Sequence, residues 1–232
     1  MSDPPQRTAA RAEVRRHRGL LPQERRADRR RRLMEAGLEL FSGLGYPSTT
    51  IERVCAQAGV TARHFYEEFP SREALLVALY DEGAERAMDA VVKALAPSDE
   101  GPRRRTRASI AAFVHSVLDD PRIGRILTIE VVGVSPDLER RRRLVMRSFA
   151  RLVELEVNRV AAEGHIATRD YRLAALALVG ATNELVIDWI LSNQRPPIDD
   201  LVDEIAWIYL AVTHADDRLV PGQAGRGGDS PS

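Results

Sequence analysis

Apolar positions recur along most of this chain at the three-and-four spacing of a helix. Between residues 33 and 41 the stripe is explicit, because Leu33, Ala36, Gly37, Leu40 and Phe41 fall at i, i+3, i+4, i+7 and i+8. The spacing predicts a helix from about Arg25 to Ser42, ended by Gly43 and Gly45. Thr49-x-x-Glu52 then reads as a capping box. Thr49 satisfies a free backbone N–H and Glu52 reaches back to the cap, ahead of a helix whose stripe is Ile51, Val54, Cys55 and Ala58. Gly59 supplies a permissive turn, and Thr61 caps a third short helix through Phe69. Two short helices about a tight glycine turn make a helix-turn-helix.

Further caps mark the later elements. Ser71 opens a helix to about Ala96, a Pro- and Gly-bearing loop covers 97–105, and a helix follows from Thr106 to Leu118. Asp120-Pro121 and Ser135-Pro136 each set a capping side chain before a proline in the first turn. The second of these begins a long helix to about Glu163, closed by Gly164. Thr168 or Asp170 opens a helix through Ser192, and Asp199 or Asp200 opens the last, to about His214. No strand-like alternation and no internal repeat interrupts this series. The expected fold class is all-α, with a three-helix head over 25–80 and a larger helical domain over 81–215. Residues 1–24 are expected to be a disordered basic arm, and 216–232, rich in Gly, Pro and Ser, a disordered tail.

Composition narrows the function classes. With 232 residues the chain is long enough to bury a core. Its one cysteine, Cys55, excludes an intrachain disulfide and a cysteine-based zinc cluster. The uncharged stretch from Leu173 to Asn183 falls short of the ~20 residues that span a bilayer, and the Arg-rich N-terminus has no apolar signal segment. The expectation is a cytoplasmic protein with no membrane partner. Net charge is zero, yet residues 1–80 carry 14 Arg against 10 acids, and the first 32 residues carry 11 Arg against 4. Positive potential at the front of the chain suits the neutralisation of phosphates. Lys93 is the only lysine, however, so Arg is favoured everywhere and the arm's charge does not decide the matter alone.

The stretch GVTARHFYEEF, Gly59 to Phe69, divides its residues by chemistry. Val60, Phe65 and Phe69 serve as apolar anchors, while Thr61, Arg63 and His64 face outward at the N-terminal end. In a helix-turn-helix that end of the second helix meets base edges and phosphates in the major groove. Arg63 suits a two-pronged contact with guanine or phosphate, His64 a base edge, and Tyr66 a phosphate oxygen. Thr49 sits at a helix N-terminus that favours an anion, and Arg72 is placed to clamp a further phosphate. Simple helix capping accounts for Thr49 and Thr61 equally well.

The run Gly45-Tyr46-x-x-Thr49-Thr50-Ile51, with Ala58-Gly59-Val60-Thr61 and Phe65-Tyr66-x-x-Phe69-Pro70-Ser71-Arg72-Glu73-Ala74-Leu75, resembles the DNA-binding domain of TetR-type transcriptional regulators over roughly residues 26–80. The resemblance implies operator contacts at Thr49, Thr61, Arg63, His64, Tyr66 and Arg72. It also implies a repressor that binds a palindromic site on double-stranded DNA as a homodimer and is released by a small-molecule effector. Glu67 and Glu68 depart from the family's less acidic pattern and are expected on the side facing away from DNA.

The helix over 170–192 is apolar nearly all round, with Leu173, Leu176, Gly180, Ile187 and Leu191 on one face and Leu178, Leu185, Val186 and Trp189 on the other. Two apolar faces need two coverings, so one is expected to pack internally and the other on a second copy of the chain. By spacing, Glu184 falls within the first stripe. A buried carboxylate is costly, so it is expected to face an internal Arg, the dimer interface or an effector. Glu130, between Ile129 and Val131, poses the same question. Phe113, His115, Met146 and Phe149 are expected near a largely apolar pocket, so the candidate effector set is Phe113, Glu130, Met146, Phe149 and Glu184. No phosphate loop, zinc-protease motif or nucleophile elbow is present, and the five histidines lack metal-ligand spacing. Catalytic residues, metal and cofactors are therefore not expected. The competing reading is a helical protein-interaction module without sequence-specific DNA binding.

Overall fold

The computed structural model describes residues 22–96, 101–193 and 195–213. The expected tail and most of the expected arm lie outside these residues. Among those described, every regular element is helical. The head comprises α1 (Pro22–Leu44), α2 (Ile51–Ala58) and α3 (Ala62–Glu68). It is followed by α4 (Arg72–Ala94), α5 (Pro102–Leu118) and the short α6 (Pro121–Arg125), which runs into a single π-helical turn, Ile126–Glu130. The chain continues through α7 (Pro136–Ala162), α8 (Arg172–Leu191) and α9 (Ile198–Thr213).

The head closes around Leu33, Phe41, Val54, Phe65 and Leu75, each without solvent exposure. Burial of such side chains contributes about 1.5–3 kcal/mol apiece, which is why helices as short as α2 and α3 hold their shape. Gly59 at φ +63 makes the turn between them, a conformation in which a side chain is disfavoured. Ser71, Asp120 and Ser135 cap α4, α6 and α7 as their sequence positions indicate. The α2 cap differs from expectation. It is Thr50, whose side chain accepts from the Arg53 N–H at 3.3 Å. Thr49 is fully buried and donates its hydroxyl to the carbonyls of Leu40 (3.2 Å) and Gly45 (3.0 Å).

Two further boundaries move. Helix α1 begins at Pro22, inside the expected arm. Helix α5 begins at Pro102, so the expected loop is shortened by a turn. Proline is well suited to a first helical position because its missing N–H would have no helical partner there. The extra turn brings Arg105 inward, where its guanidinium donates to Glu156 of α7 at 2.7 Å.

A second apolar core fills the space between α4, α5, α8 and α9 with Ala87, Val114, Val117, Val186, Val202 and Ile205. Leu127, in the π-helical turn, packs against both this core and that of the head. By length and composition α8 could cross a bilayer. Here it lies against α7, and Leu178, Val186 and Ile190 are buried.

Candidate nucleic-acid interface and interior cavity

Helix α3 is seated by its rings and its acids. Phe65 and Phe69 point into the core with centroids 5.9 Å apart. At the C-terminal end the Glu68 carboxylate is nearly buried and held by Arg26 (3.2 Å) and Arg29 (3.7 Å) of α1. Arg30 stacks over Phe69 at 4.4 Å, and Arg32 donates to the carbonyl of Ala58 at 2.8 Å, closing the end of α2. These α1 arginines work as staples for α2 and α3. Their charge was visible in the sequence, but their partners are 26 to 42 residues away.

The opposite edge of α3 is free. Arg63 is 88% exposed, with a loose pairing to Glu67 at 3.4 Å. Tyr66 is 57% exposed. His64 is half-buried, and its Nδ1 lies 3.2 Å from the hydroxyl of Thr61, which also accepts from the His64 N–H. Thr61, Arg63, His64 and Tyr66 thus lie along one short stretch of surface. Glu68 faces the protein as expected, whereas Glu67 stands beside Arg63 on the open edge.

Two expected contact residues are placed differently. Thr49 is excluded from the surface by its burial. The Arg72 guanidinium stacks over the Tyr46 ring at 4.2 Å and donates to the carbonyls of Pro47 and Thr49, so it fastens the loop ahead of α2.

In the second core a cavity of about 100 Å³ opens between α4, α5, α7, α8, α9 and the π-helical turn. Phe113, Met146 and Phe149 line it as expected, the two phenylalanines meeting edge to face at 5.4 Å. None of its lining residues carries a charge. Thr182 donates to the Leu178 carbonyl at 2.9 Å and lies 3.2 Å from the Tyr209 hydroxyl, which burial pushes up to about 12. The amide of Asn183 also borders the space.

Three residues expected there lie elsewhere. Glu184 is exposed on the outer face of α8, beside Leu173, Leu176 and Leu191, which are themselves exposed. That face of α8 points out of the chain, so the carboxylate carries no burial cost. His115 pairs at the surface with Asp119 at 2.9 Å. Glu130 is buried but turned towards the head, paired with Arg125 at 2.9 Å and accepting from the Tyr46 N–H at 2.8 Å.

A short α3 with an open polar edge, held within a three-helix head and followed by a helical body with an apolar cavity, is a helix-turn-helix architecture. Residues 33–79 match the profile of the bacterial regulatory proteins of the tetR family. The HTH-type transcriptional activator FasR of Mycolicibacterium smegmatis is 26% identical over 172 residues, spanning 74% of this chain and 76% of that protein. The uncharacterized HTH-type regulator YuxN of Bacillus subtilis is 28% identical over 91 residues, 38% of this chain and 30% of its own length. The structure of the regulator FadR from Bacillus subtilis, solved in complex with stearoyl-CoA, superposes with a TM-score of 0.68 at 16% identity, covering 79% of this chain and 98% of that one. That likeness establishes the fold. Over residues 33–79 the head is that of the tetR family of bacterial regulatory proteins.

Proposed function

We propose that this protein is a cytoplasmic, dimeric repressor that binds a palindromic operator and is released by a small apolar effector, and that it is not an enzyme. The observation that carries the reading is the free edge of α3, where Thr61, Arg63, His64 and Tyr66 stand together on a helix whose other side is anchored. Arg63 and His64 meet base edges, and Tyr66 meets the backbone. The exposed leucines of α8 and the exposed Trp207 of α9 suit a second copy of the chain, whose two-fold axis sets two α3 helices about one DNA turn apart.

The cavity's lack of charge favours a ligand with a long apolar body and, inside the cavity, a neutral polar group such as an ester, amide or thioester. Asn183, Thr182 and Tyr209 are polar groups of the wall that can meet it. The stearoyl-CoA held by the FadR relative has this chemistry, a thioester on a saturated chain.

The test is selection of bound duplexes from a random library, followed by gel shifts with stearoyl-CoA and, separately, stearate. An inverted-repeat site released by the thioester at lower concentration than by the acid is expected. Binding without sequence preference would favour a protein-interaction module. A promoter fusion checks the direction of control, since FasR is named an activator; repression is expected here.

A further inference from the structure

The π-helical turn Ile126–Glu130 touches both the cavity and the head. Leu127 and Thr128 line the cavity. Ile126 belongs to the head's apolar core, and Leu127 packs on both cores. Two residues on, Glu130 sends one carboxylate oxygen to Arg125 (2.9 Å) and the other to the Tyr46 N–H (2.8 Å), from a site only 8% exposed. Tyr46 begins the loop that leads into α2. It follows Gly45, held at φ +85, and its ring packs against Phe41 and beneath the guanidinium of Arg72. Arg72 in turn holds the carbonyls of Pro47 and Thr49, the residues just ahead of the α2 cap. An unbroken series of contacts therefore runs from the cavity wall to the N-terminus of the helix-turn-helix.

We propose that Glu130 is a positioning residue for the DNA-reading head, and that the π-helical turn carries the state of the cavity to it through the Glu130–Tyr46 hydrogen bond. This rests on the reading of the cavity as an effector site and of α3 as the DNA-reading helix. A cavity of about 100 Å³ is smaller than the roughly 300–1,000 Å³ of sites that enclose a drug-sized ligand, so an effector must displace part of the lining. Leu127 has no slack towards α4, because a Cβ added at Gly83 would lie 3.1 Å from its Cδ2. Displacing Leu127 therefore moves the turn itself. A π-helical turn holds one residue more than an α-helical turn, and such turns cluster at functional sites because the surplus residue permits a second register. In that register Glu130 leaves the Tyr46 N–H, and the loop ahead of α2 loses the contact that ties it to the body. Occupation of the cavity then shifts the population of head orientations.

The experiment compares the full-length protein with Glu130→Ala and Glu130→Gln. Three quantities are read: hydrogen exchange at the Tyr46 amide, affinity for the duplex recovered by selection, and the fold-loss of that affinity caused by saturating stearoyl-CoA. Without stearoyl-CoA, Glu130→Ala is expected to speed exchange at Tyr46 and to weaken DNA binding by about tenfold or more, the scale of one lost hydrogen bond to a charged acceptor. Its response to stearoyl-CoA should shrink towards none while stearoyl-CoA binding itself is retained. Glu130→Gln keeps an acceptor oxygen and should fall between, which keeps the test decisive if the alanine variant does not fold. Wild-type exchange at Tyr46 together with wild-type DNA affinity in both variants would overturn the proposal. If the wild-type protein ignores stearoyl-CoA, the effector reading fails instead, and the exchange and affinity measurements still decide the role of Glu130.

Discussion

Replacing Arg63 by Ala separates DNA reading from folding because the side chain does so little for the fold. It is 88% exposed, and among the described residues its ion pair is with Glu67 at 3.4 Å. An exposed pair four residues apart on a helix is worth about 0.3–0.5 kcal/mol, so the loss should lower the melting temperature of a domain this size by no more than about 2 °C. The expected effect on DNA is far larger. A two-pronged arginine–guanine contact discriminates by about 1–3 kcal/mol, and a dimer on a palindrome makes it twice, giving a weakening on the order of 30-fold to 10⁴-fold. The assay is a gel shift on the selected duplex and on duplexes substituted at each position of both half-sites. Arg63→Ala should weaken the preferred duplex and lose preference at one position per half-site. Glu67→Gln should act in the opposite sense, since it frees Arg63 from its carboxylate partner and removes a negative charge from the open edge of α3. An affinity within twofold of wild type for Arg63→Ala on every duplex, with the melting temperature unchanged, would refute the placement of Arg63 at a base.

Leu176→Glu puts a charge on the exposed apolar face of α8 and should convert a dimer to a monomer by light scattering, with wild-type helix content by circular dichroism; a dimer of unchanged affinity would move the interface elsewhere. Glu156→Ala removes the nearer carboxylate from the buried Arg105 guanidinium and should cost roughly 3 kcal/mol in urea unfolding, at the low end for a broken buried pair because Glu163 stays within 3.5 Å. Burial pushes both the Tyr80 and Tyr209 phenols up to about 12, whereas in the unfolded chain they ionise near 10. Their effect on stability should be flat below about pH 10 and then fall by roughly 1.4 kcal/mol per pH unit per group towards pH 12, as the unfolded state alone loses its protons. Urea midpoints measured from pH 8 to 11 check this, and Tyr209→Phe should remove one group's share.

The head was readable from the sequence because its determinants are local. A cap and its N–H lie three residues apart, a turn needs one glycine, and an apolar stripe repeats within two turns. Where the reading missed, the deciding partner was remote. Thr49 and Thr50 can each cap α2, and the choice is made by the carbonyls of Leu40 and Gly45, which claim the Thr49 hydroxyl. The sequence shows Glu130 as a carboxylate among apolar neighbours, but its acceptor role depends on a backbone N–H 84 residues away. The exposure of Glu184 is hidden from the sequence for a different reason. Helix α8 is apolar on both faces, so periodicity alone cannot say which face turns inward, and the stripe containing Glu184 is the one left exposed.

The same remoteness governs the arginines of α1, whose charge reads from sequence as available to phosphates. Arg26 and Arg29 are engaged with Glu67 and Glu68, Arg32 with Asp28 and the end of α2, and Arg30 lies over Phe69. A guanidinium already neutralised by a carboxylate releases few counterions when DNA arrives, so it adds little to the salt dependence. The slope of log affinity against log salt, about −0.9 for each phosphate neutralised on duplex DNA, should therefore be much shallower than a count of the arginines in residues 22–72 implies. Glu68→Gln supplies the contrast. It takes the Glu68 carboxylate from Arg26 and leaves Arg29 its looser pairing with Glu67 at 3.9 Å, so it should steepen the slope even as it loosens the staple that seats α3. A wild-type slope that already matches the full arginine count would mean that DNA displaces the carboxylates, and that these side chains serve the interface before the fold.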